Sequence, residues 1–138
     1  MKKYKIGYTT GVFDMFHIGH LNILRRAKEL CEYLIVGVTT DELCNVRKNK
    51  YTIINQEDRK SIVKAIRYVD KVVDQVDMNK IRQVEKYHAD VVFVGSDWQG
   101  SETWKNYEQQ FSEIGCNVEY LSHTDGISST ILREKLNK

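Results

Sequence analysis

Short apolar runs rich in β-branched residues alternate along this chain with segments of helical period. Each run has the length of a strand, and most are apolar on both faces, which is typical of strands in a parallel sheet that is covered on both sides. The runs cover residues 5–10, 33–39, 71–74, 90–95 and 117–121. The pattern therefore predicts five strands.

Apolar residues recur at helical spacing between these runs, so a helix is predicted after each of the first four strands. The four stripes comprise Leu21, Leu24, Ala27, Lys28 and Cys31; Ile62, Val63, Ile66 and Val69; Ile81, Val84 and Tyr87 or His88; and Trp104, Tyr107, Phe111 and Ile114. A last helix is predicted in the segment "SSTILREKLNK".

This alternation favours right-handed crossover connections and an α/β fold. The 138 residues contain no proline, no Gly/Ser-rich linker and no repeat, and their number suits one domain. We expect a single domain over residues 1–138: a doubly wound, Rossmann-like sheet of about five parallel strands with helices on both faces. Ligands of such sheets bind outside the carboxyl ends of the strands, so the candidate chemistry is sought at that edge.

Composition and charge argue against several classes of function. Twenty-one Lys and Arg against nineteen Asp and Glu leave a net charge of +2, which predicts binding neither to nucleic acid nor to a membrane. No stretch approaches the roughly 20 apolar residues that span a bilayer, and the start has no signal-peptide core, so we expect a cytoplasmic protein. Cys31, Cys44 and Cys116 form no CxxC pair. They are predicted to be free thiols, two in the core and Cys44 in a loop.

The segment that follows the first predicted strand, "GVFDMFHIGH" over residues 11–20, combines glycines and histidines. Gly11 permits a tight exit from the strand, and Gly19 lets the backbone approach a bound group. His17 and His20 share one face at the start of a helix, where free N–H groups and the helix dipole favour an anion such as phosphate. The alternative is that one histidine is a satisfied core residue and the other a helix cap.

The segment "GISSTILREKL" places a similar set of potential phosphate-binding groups at the start of the last helix. Gly126 precedes Ser128, Ser129 and Thr130, so hydroxyl and backbone N–H groups converge where the helix begins. A plain N-cap needs only one such residue, and three after a glycine favour phosphate binding.

These motifs resemble those of the nucleotidyltransferase superfamily related to class I aminoacyl-tRNA synthetases. The pattern GxFDxxHxGH is carried by Gly11, Phe13, Asp14, His17, Gly19 and His20. "HTDGISST" is similar to the "RTEGIST" motif of the cytidylyltransferase family, although adenylyltransferases also carry "ISST"-like segments. "YLIVGVTTDE", "EDRKSIVKAIRYVDKVV" and "VFVGSDWQG" resemble the bacterial glycerol-3-phosphate cytidylyltransferases, and the likeness covers nearly the whole chain.

The resemblance implies transfer of CMP from CTP to a small phosphorylated alcohol, by default glycerol 3-phosphate, with Mg²⁺ as the cofactor and a homodimer as the assembly. The expected catalytic residues are His17, His20 and Lys48. The expected nucleotide-binding residues are Val12, Phe13, Asp14, Gly19, Asp97, His123, Thr124, Gly126, Ile127, Ser128, Ser129 and Thr130. The expected substrate-binding residues are Arg47, Lys50, Arg67 and Lys80, and Asp14 is a candidate metal ligand.

Several of these residues have a second interpretation. Arg47, Lys48 and Lys50 lie in the predicted loop after the second strand and could be a solvated surface run. Arg59 matches a family arginine or is a charge on a helix surface. Asp97 and Trp98 suit a loop beside the nucleotide, although Trp98 could instead pack in the core, as is expected of Trp104.

Two departures from the family pattern bear on the substrate. Val12 stands where threonine is usual, and His123 replaces an arginine, so a permanent bidentate phosphate donor is lost. An ATP-using adenylyltransferase and a non-catalytic nucleotide-binding regulatory module therefore stay open. No nucleophilic Ser, Cys or Lys with a base is evident. A phosphate acceptor is itself a nucleophile, so direct in-line displacement is predicted.

Overall fold

A five-stranded, all-parallel sheet forms the centre of the computed structural model, which describes residues 2–47, 52–76, 79–122 and 129–136. The strands are β1 (Tyr4–Gly11), β2 (Cys31–Thr39), β3 (Lys71–Gln75), β4 (Val91–Gly95) and β5 (Asn117–Leu121). The helices are α1 (Ile18–Leu30), α2 (Asp41–Arg47), α3 (Gln56–Lys64), α4 (Lys80–Tyr87), α5 (Glu102–Glu113) and α6 (Ser129–Leu136), and a 3-10 turn covers Ser96–Trp98.

The strand order is β3-β2-β1-β4-β5, so the order reverses between β1 and β4. Two apolar clusters cover the sheet. Leu24 of α1 and Val63 of α3 belong to the cluster on one face, and Val84 of α4 and Phe111 of α5 belong to the cluster on the other. The predicted doubly wound α/β fold with helices on both faces is confirmed.

Asp90 and Asp70 bind backbone N–H groups near the amino ends of β1 and β2. The carboxylate of Asp90 accepts the Ile6 N–H at 2.9 Å, and that of Asp70 accepts the Leu34 N–H at 2.7 Å. Each carboxylate satisfies a backbone donor at the edge of the sheet where regular pairing begins. This edge is opposite to the edge at which ligands of such folds bind.

Two sequence predictions are wrong in detail. Cys44 is buried within helix α2 rather than in a loop, because Thr40 caps this helix through its Oγ1 and accepts the Cys44 N–H on its carbonyl. The helix predicted through Val69 ends at Lys64, and turns follow it, although Ile66 and Val69 still pack on the core. Cys31, Cys116 and Trp104 are buried as expected.

Gly7 in β1 allows the closest packing of β1 against its neighbours. A Cβ atom at this position would lie 2.4 Å from Cε2 of Phe93 and 2.9 Å from Sγ of Cys31. Because Phe93 is buried, Gly7→Ala is expected to lower the free energy of unfolding by about 1–3 kcal/mol, measured by urea denaturation. Adding Phe93→Leu should recover part of that loss, and an unchanged free energy of unfolding in Gly7→Ala would contradict the packing described.

Candidate active site

The strand reversal between β1 and β4 places two segments side by side at the carboxyl edge of the sheet. One is the loop of residues 12–17 that follows β1, named the first loop below, and the other is the 3-10 turn Ser96–Trp98 that follows β4. In doubly wound sheets the crevice at such a reversal is where ligands bind. The first loop carries the sequence motif, so the motif lies where the topology predicts a site.

The first loop has an unusual backbone. Phe13 and Met15 have φ values of 56° and 49°, in the left-handed region that non-glycine residues seldom occupy. The Phe13 ring folds back over the strand end, where a Cβ atom on Gly11 would lie 2.9 Å from its Cε2. Gly11 is therefore needed for ring placement, and the backbone of the loop is held in a strained form of the kind that is found at functional sites.

His17 and His20 hold each other in one arrangement at the start of α1. Nδ1 of His17 accepts the Gly19 N–H at 3.0 Å, and Nδ1 of His20 accepts the His17 N–H at 3.1 Å. A neutral imidazole whose Nδ1 accepts a hydrogen bond carries its proton on Nε2. Both rings are therefore Nε2–H donors. They stack with centroids 3.9 Å apart and planes inclined by 24°.

The surroundings keep both imidazoles neutral. Burial lowers the pKa of His17, and burial together with the neighbouring His17 lowers that of His20 to about 4. Phe13 and Phe16 supply much of the apolar surface around His20, with ring centroids 5.4 and 5.2 Å from its own. A neutral donor near pH 7 can hydrogen-bond an oxyanion without being able to act as a strong acid.

The Nε2 atom of His17 is buried and has no hydrogen-bond partner among the described residues. A buried donor without a partner costs free energy in a folded protein unless a ligand or water satisfies it. Its position at the N-terminus of α1, where the helix dipole favours negative charge, suits an anionic oxygen. This pair of donors can stabilise charge on phosphate oxygens.

Asp14 lies between the two left-handed residues and is buried. Its two carboxylate oxygens accept the N–H groups of Ile53 and Ile54 at 2.8 and 2.9 Å. Asp14 therefore joins the first loop to the segment before α3. No group of three or more His, Cys, Asp or Glu side chains suited to a metal ion occurs within the described ranges, so these residues do not form a metal cage around Asp14.

Arg59 of α3 is fully buried, which the interpretation as a surface charge did not anticipate. Its guanidinium donates to the carbonyls of Val12, Thr39 and Ile54 at 2.8, 2.8 and 2.9 Å and to Oδ1 of Asp41 at 2.5 Å. Arg59 thus links the carboxyl ends of β1 and β2. A sequence signal existed: Arg59 precedes the core residue Val63 by four positions, which puts both on the buried face of one helix.

Asp41, at the start of α2, is a residue for which the sequence pattern predicts no role. Burial opposes its ionisation, but hydrogen bonds from the Gln56 N–H, Arg59 and Thr52 outweigh burial and hold the pKa of this carboxyl below its usual value. Asp41 is therefore the ionised partner of Arg59. The first turn of a helix also favours an acidic side chain.

The predicted basic residues are placed in different parts of the fold. Arg47 is the last residue of α2 rather than part of a loop, because α2 continues from the Thr40 cap through two turns. Lys48 and Lys50 lie outside the described residues. Lys80 begins α4, after the carboxyl end of β3, with its ammonium 5.9 Å from the Trp104 ring centroid.

Arg67 is at the opposite edge of the sheet. It is exposed and precedes the amino end of β3, with its guanidinium 5.5 Å from the ring centroid of Tyr68. A strand of five residues spans roughly 17 Å, so one chain does not bring Arg67 together with the histidine pair.

The predicted nucleotide-binding residues after β4 and β5 are only partly described. Asp97 belongs to the 3-10 turn at the carboxyl edge, and Trp98 beside it is half exposed rather than packed in the core. Ser129 and Thr130 begin α6, as predicted for a helix that starts in this motif. His123, Thr124, Gly126, Ile127 and Ser128 lie outside the described residues.

A Rossmann-like sheet with a pair of histidine donors at its strand reversal is the arrangement expected of the nucleotidyltransferase class, and the comparison with protein families assigns the chain to that class. The family model of the Cytidylyltransferase-like family matches residues 8–135, and the chain belongs to this family. No helix in the described part of the chain is long and apolar enough to cross a membrane.

Relatives agree with this assignment. A glycerol-3-phosphate cytidylyltransferase of Staphylococcus aureus is 40% identical over 93% of this chain and 92% of its own length. An FAD synthase of Archaeoglobus fulgidus is 37% identical over 79% of this chain and 78% of its own. The crystal structure of a lipopolysaccharide core biosynthesis protein from Thermoplasma volcanium superposes with a TM-score of 0.73 at 22% identity, covering 88% of this chain and 97% of that one, and supports the fold alone.

Proposed function

We propose that this chain transfers CMP from CTP to glycerol 3-phosphate, forming CDP-glycerol and pyrophosphate. A phosphate oxygen of the acceptor attacks the α-phosphorus of CTP in line with the leaving group. The bond from that phosphorus to the bridging oxygen breaks, and pyrophosphate departs with the electron pair. The nucleophile is already an anion, so catalysis consists of alignment and neutralisation of charge.

The observation that carries this proposal is the pair of neutral Nε2–H donors at the carboxyl edge of β1, one of them buried without a partner among the described residues. His17 and His20 donate to oxygens of the α- and β-phosphates as charge moves toward the leaving group. Donors fixed before the reaction begins need no reorganisation during it. The 40% identity to a glycerol-3-phosphate cytidylyltransferase supports the choice of both substrates.

Other predicted residues complete the proposed site. Lys48 bridges the two substrates, and Arg47 and Lys50 bind the acceptor phosphate together with Lys80. Arg67 serves the acceptor only if a second copy of the chain supplies it, which is consistent with a proposed homodimer. The nucleotide is held by the first loop, by the start of α1 and by residues that follow β4 and β5: Val12, Phe13, Asp14, Gly19, Asp97, His123, Thr124, Gly126, Ile127, Ser128, Ser129 and Thr130.

The metal enters this proposal as part of the substrate. Magnesium is usually held by one or two carboxylates together with substrate phosphates. Both oxygens of Asp14 already accept backbone N–H groups, so we propose that Mg²⁺ arrives on the triphosphate as Mg·CTP. The proposed location of the enzyme is the cytoplasm, where CTP is available.

Transfer of AMP from ATP is the second candidate. The relative named FAD synthase favours it, because FAD contains an AMP unit. His123 and the "ISST" spelling of the last motif are compatible with either base.

A nucleotide-by-acceptor panel tests the proposal. Pyrophosphate release is measured with CTP, ATP, GTP and UTP, each with glycerol 3-phosphate, ribitol 5-phosphate, phosphocholine, phosphoethanolamine or FMN. We expect CTP with glycerol 3-phosphate to give the highest kcat/KM. Turnover with ATP and FMN only would establish the second candidate, and tight CTP binding without any product would establish a non-catalytic nucleotide-binding module.

A further inference from the structure

Two buried charged side chains, Asp14 and Arg59, join the first loop to the segment that precedes α3. Asp14 holds the N–H groups of Ile53 and Ile54, while Arg59 holds the Ile54 carbonyl and the Val12 carbonyl. The same short segment is therefore bound from both sides, through its donors by the first loop and through its acceptor by α3.

The start of α2 is tied to the same point. Asp41 accepts from the guanidinium of Arg59, from the hydroxyl of Thr52 at 3.0 Å and from the Gln56 N–H at 3.0 Å, and its own N–H donates to Oε1 of Gln56 at 3.0 Å. These contacts bridge α2 to residues 52–56. The chain between Arg47 and Thr52, which contains Lys48 and Lys50, thus begins at the end of a tied helix and ends at a tied residue.

The third connection is to the sheet. Nη1 of Arg59 donates to both the Val12 and the Thr39 carbonyls, so one nitrogen fixes the exits of β1 and β2 relative to each other. Five N–H donors in a rigid plane suit a group that must reach several acceptors at once, and lysine cannot reproduce that geometry. The only salt-bridged partner of Arg59 among the described residues is Asp41.

We infer that Asp14, Asp41 and Arg59 form a clamp that sets the spacing between the first loop, which ends at His17, and helix α2, and that Arg59 is a positioning residue for the transfer reaction. The inference rests on the proposed function, because that function assigns Arg47, at the end of α2, and the lysines that follow it in the chain to the substrates. Arg59 reaches the substrates only through the loops that it holds. A displacement of about 1 Å between groups that bind two reactants can cost on the order of 10²-fold in rate.

A double-mutant cycle tests the clamp. Arg59→Lys is combined with the pair Lys48→Ala and Lys50→Ala. KM is measured for each variant, and kcat is calculated from the concentration of folded protein. We expect Arg59→Lys alone to lower kcat/KM by on the order of 10²-fold. In the background without the two lysines, the same change should cost only about twofold to threefold, because two of the substrate-binding groups that follow α2 in the chain are then absent. Full multiplication of the two losses, or wild-type kcat and KM in Arg59→Lys, would overturn the inference.

Two further variants keep the test decisive. If Arg59→Lys does not fold, Asp41→Asn takes its place in the cycle, because the Asp41 side chain is 39% exposed and the change preserves its shape. Asp90→Ala is the matched control, since it removes another aspartate that holds a backbone N–H, but at the opposite edge of the sheet. It should lower the urea midpoint and leave kcat and KM unchanged. If Asp90→Ala lowered kcat/KM as much as Arg59→Lys does, the clamp would have only a structural role, and the inference would be overturned.

Failure of the proposed function can be told apart from failure of the clamp. A wild-type protein that releases no pyrophosphate with CTP and glycerol 3-phosphate refutes the function. The clamp is then judged by the dissociation constant for Mg·CTP, measured calorimetrically. A dissociation constant at least tenfold larger in Arg59→Lys supports the clamp, and an unchanged dissociation constant overturns it.

Discussion

The His17→Asn variant is expected to fold normally and to turn over CTP on the order of 10²–10³ times more slowly than the wild type, the usual cost of losing one donor to the transition state. Asparagine keeps the hydrogen-bond acceptor of this side chain that caps α1. Its Oδ1 can replace Nδ1 as the acceptor of the Gly19 N–H, and asparagine is among the best N-cap residues. It lacks the Nε2–H donor, so the substitution separates capping from catalysis.

The same change at two other histidines sharpens the result. In His20→Asn the acceptor of the His17 N–H is again retained and the Nε2–H donor lost, so a similar loss of turnover is expected. His88→Asn is the control, because His88 occupies a left-handed helix C-cap at φ 56°, a conformation that asparagine tolerates, at the amino end of β4. Its kcat should be that of the wild type.

The kinetic pattern is as informative as the size of the loss. Loss of a donor whose hydrogen bond strengthens only as charge develops lowers kcat and kcat/KM together. Loss of a donor that merely binds CTP raises KM and leaves kcat unchanged. Steady-state kinetics at saturating glycerol 3-phosphate distinguish the two. Wild-type turnover in both His17→Asn and His20→Asn would refute the catalytic assignment.

The features that the sequence predicts well are those that depend on neighbouring residues. The sequence predicts strand β5 at its observed bounds, and β3 and β4 to within one residue at one end, because buried parallel strands are continuous apolar runs between polar segments. The histidine motif is predictable because it too depends on residues close in the chain. A helix begins at Ile18, so His17 and His20 share its first turn. The spacing of apolar residues determines the strands, and local helix capping determines the arrangement of the histidines.

The clamp depends on pairings across the chain, which a single sequence does not contain. Arg59 binds groups that precede it by 47, 20 and 18 positions, at Val12, Thr39 and Asp41. A charged residue on a helix is usually solvated, and only the core position of Val63 four residues later places Arg59 on the buried face. The wrong prediction of a loop at Cys44 has a different cause, since it leaves out the local cap from Thr40 that starts α2.

Acid should destabilise this protein through His20. In the folded chain the pKa of His20 is about 4, and in the unfolded chain it is that of an ordinary imidazole near 6.5. Between these values the unfolded state binds a proton that the folded state does not, so the free energy of unfolding falls as the pH falls, by about 1.4 kcal/mol per pH unit. Above pH 7 the residue is neutral in both states and contributes no pH dependence.

Because the ring is not wholly shielded from solvent, a contribution of about 2–3 kcal/mol over this interval is expected rather than the full product of slope and range. Carboxylates titrate in the same interval, so the measurement is a difference. Urea denaturation of the wild type and of His20→Asn is compared from pH 4 to pH 7.5. The wild type should lose more stability on acidification, by the stated amount.

A direct titration of the imidazole completes the argument. ¹⁵N NMR of the histidine rings should show Nδ1 of His20 unprotonated and Nε2 protonated at pH 7, with a midpoint near 4. Replacing Phe16 by serine opens one side of the ring, so the midpoint should rise toward 6.5 because desolvation is the largest cause of the shift. A midpoint near 6.5 in the wild type would contradict the apolar enclosure of His20. At pH 6 such a ring would be mostly an imidazolium, which cannot accept the His17 N–H that fixes the donor pair.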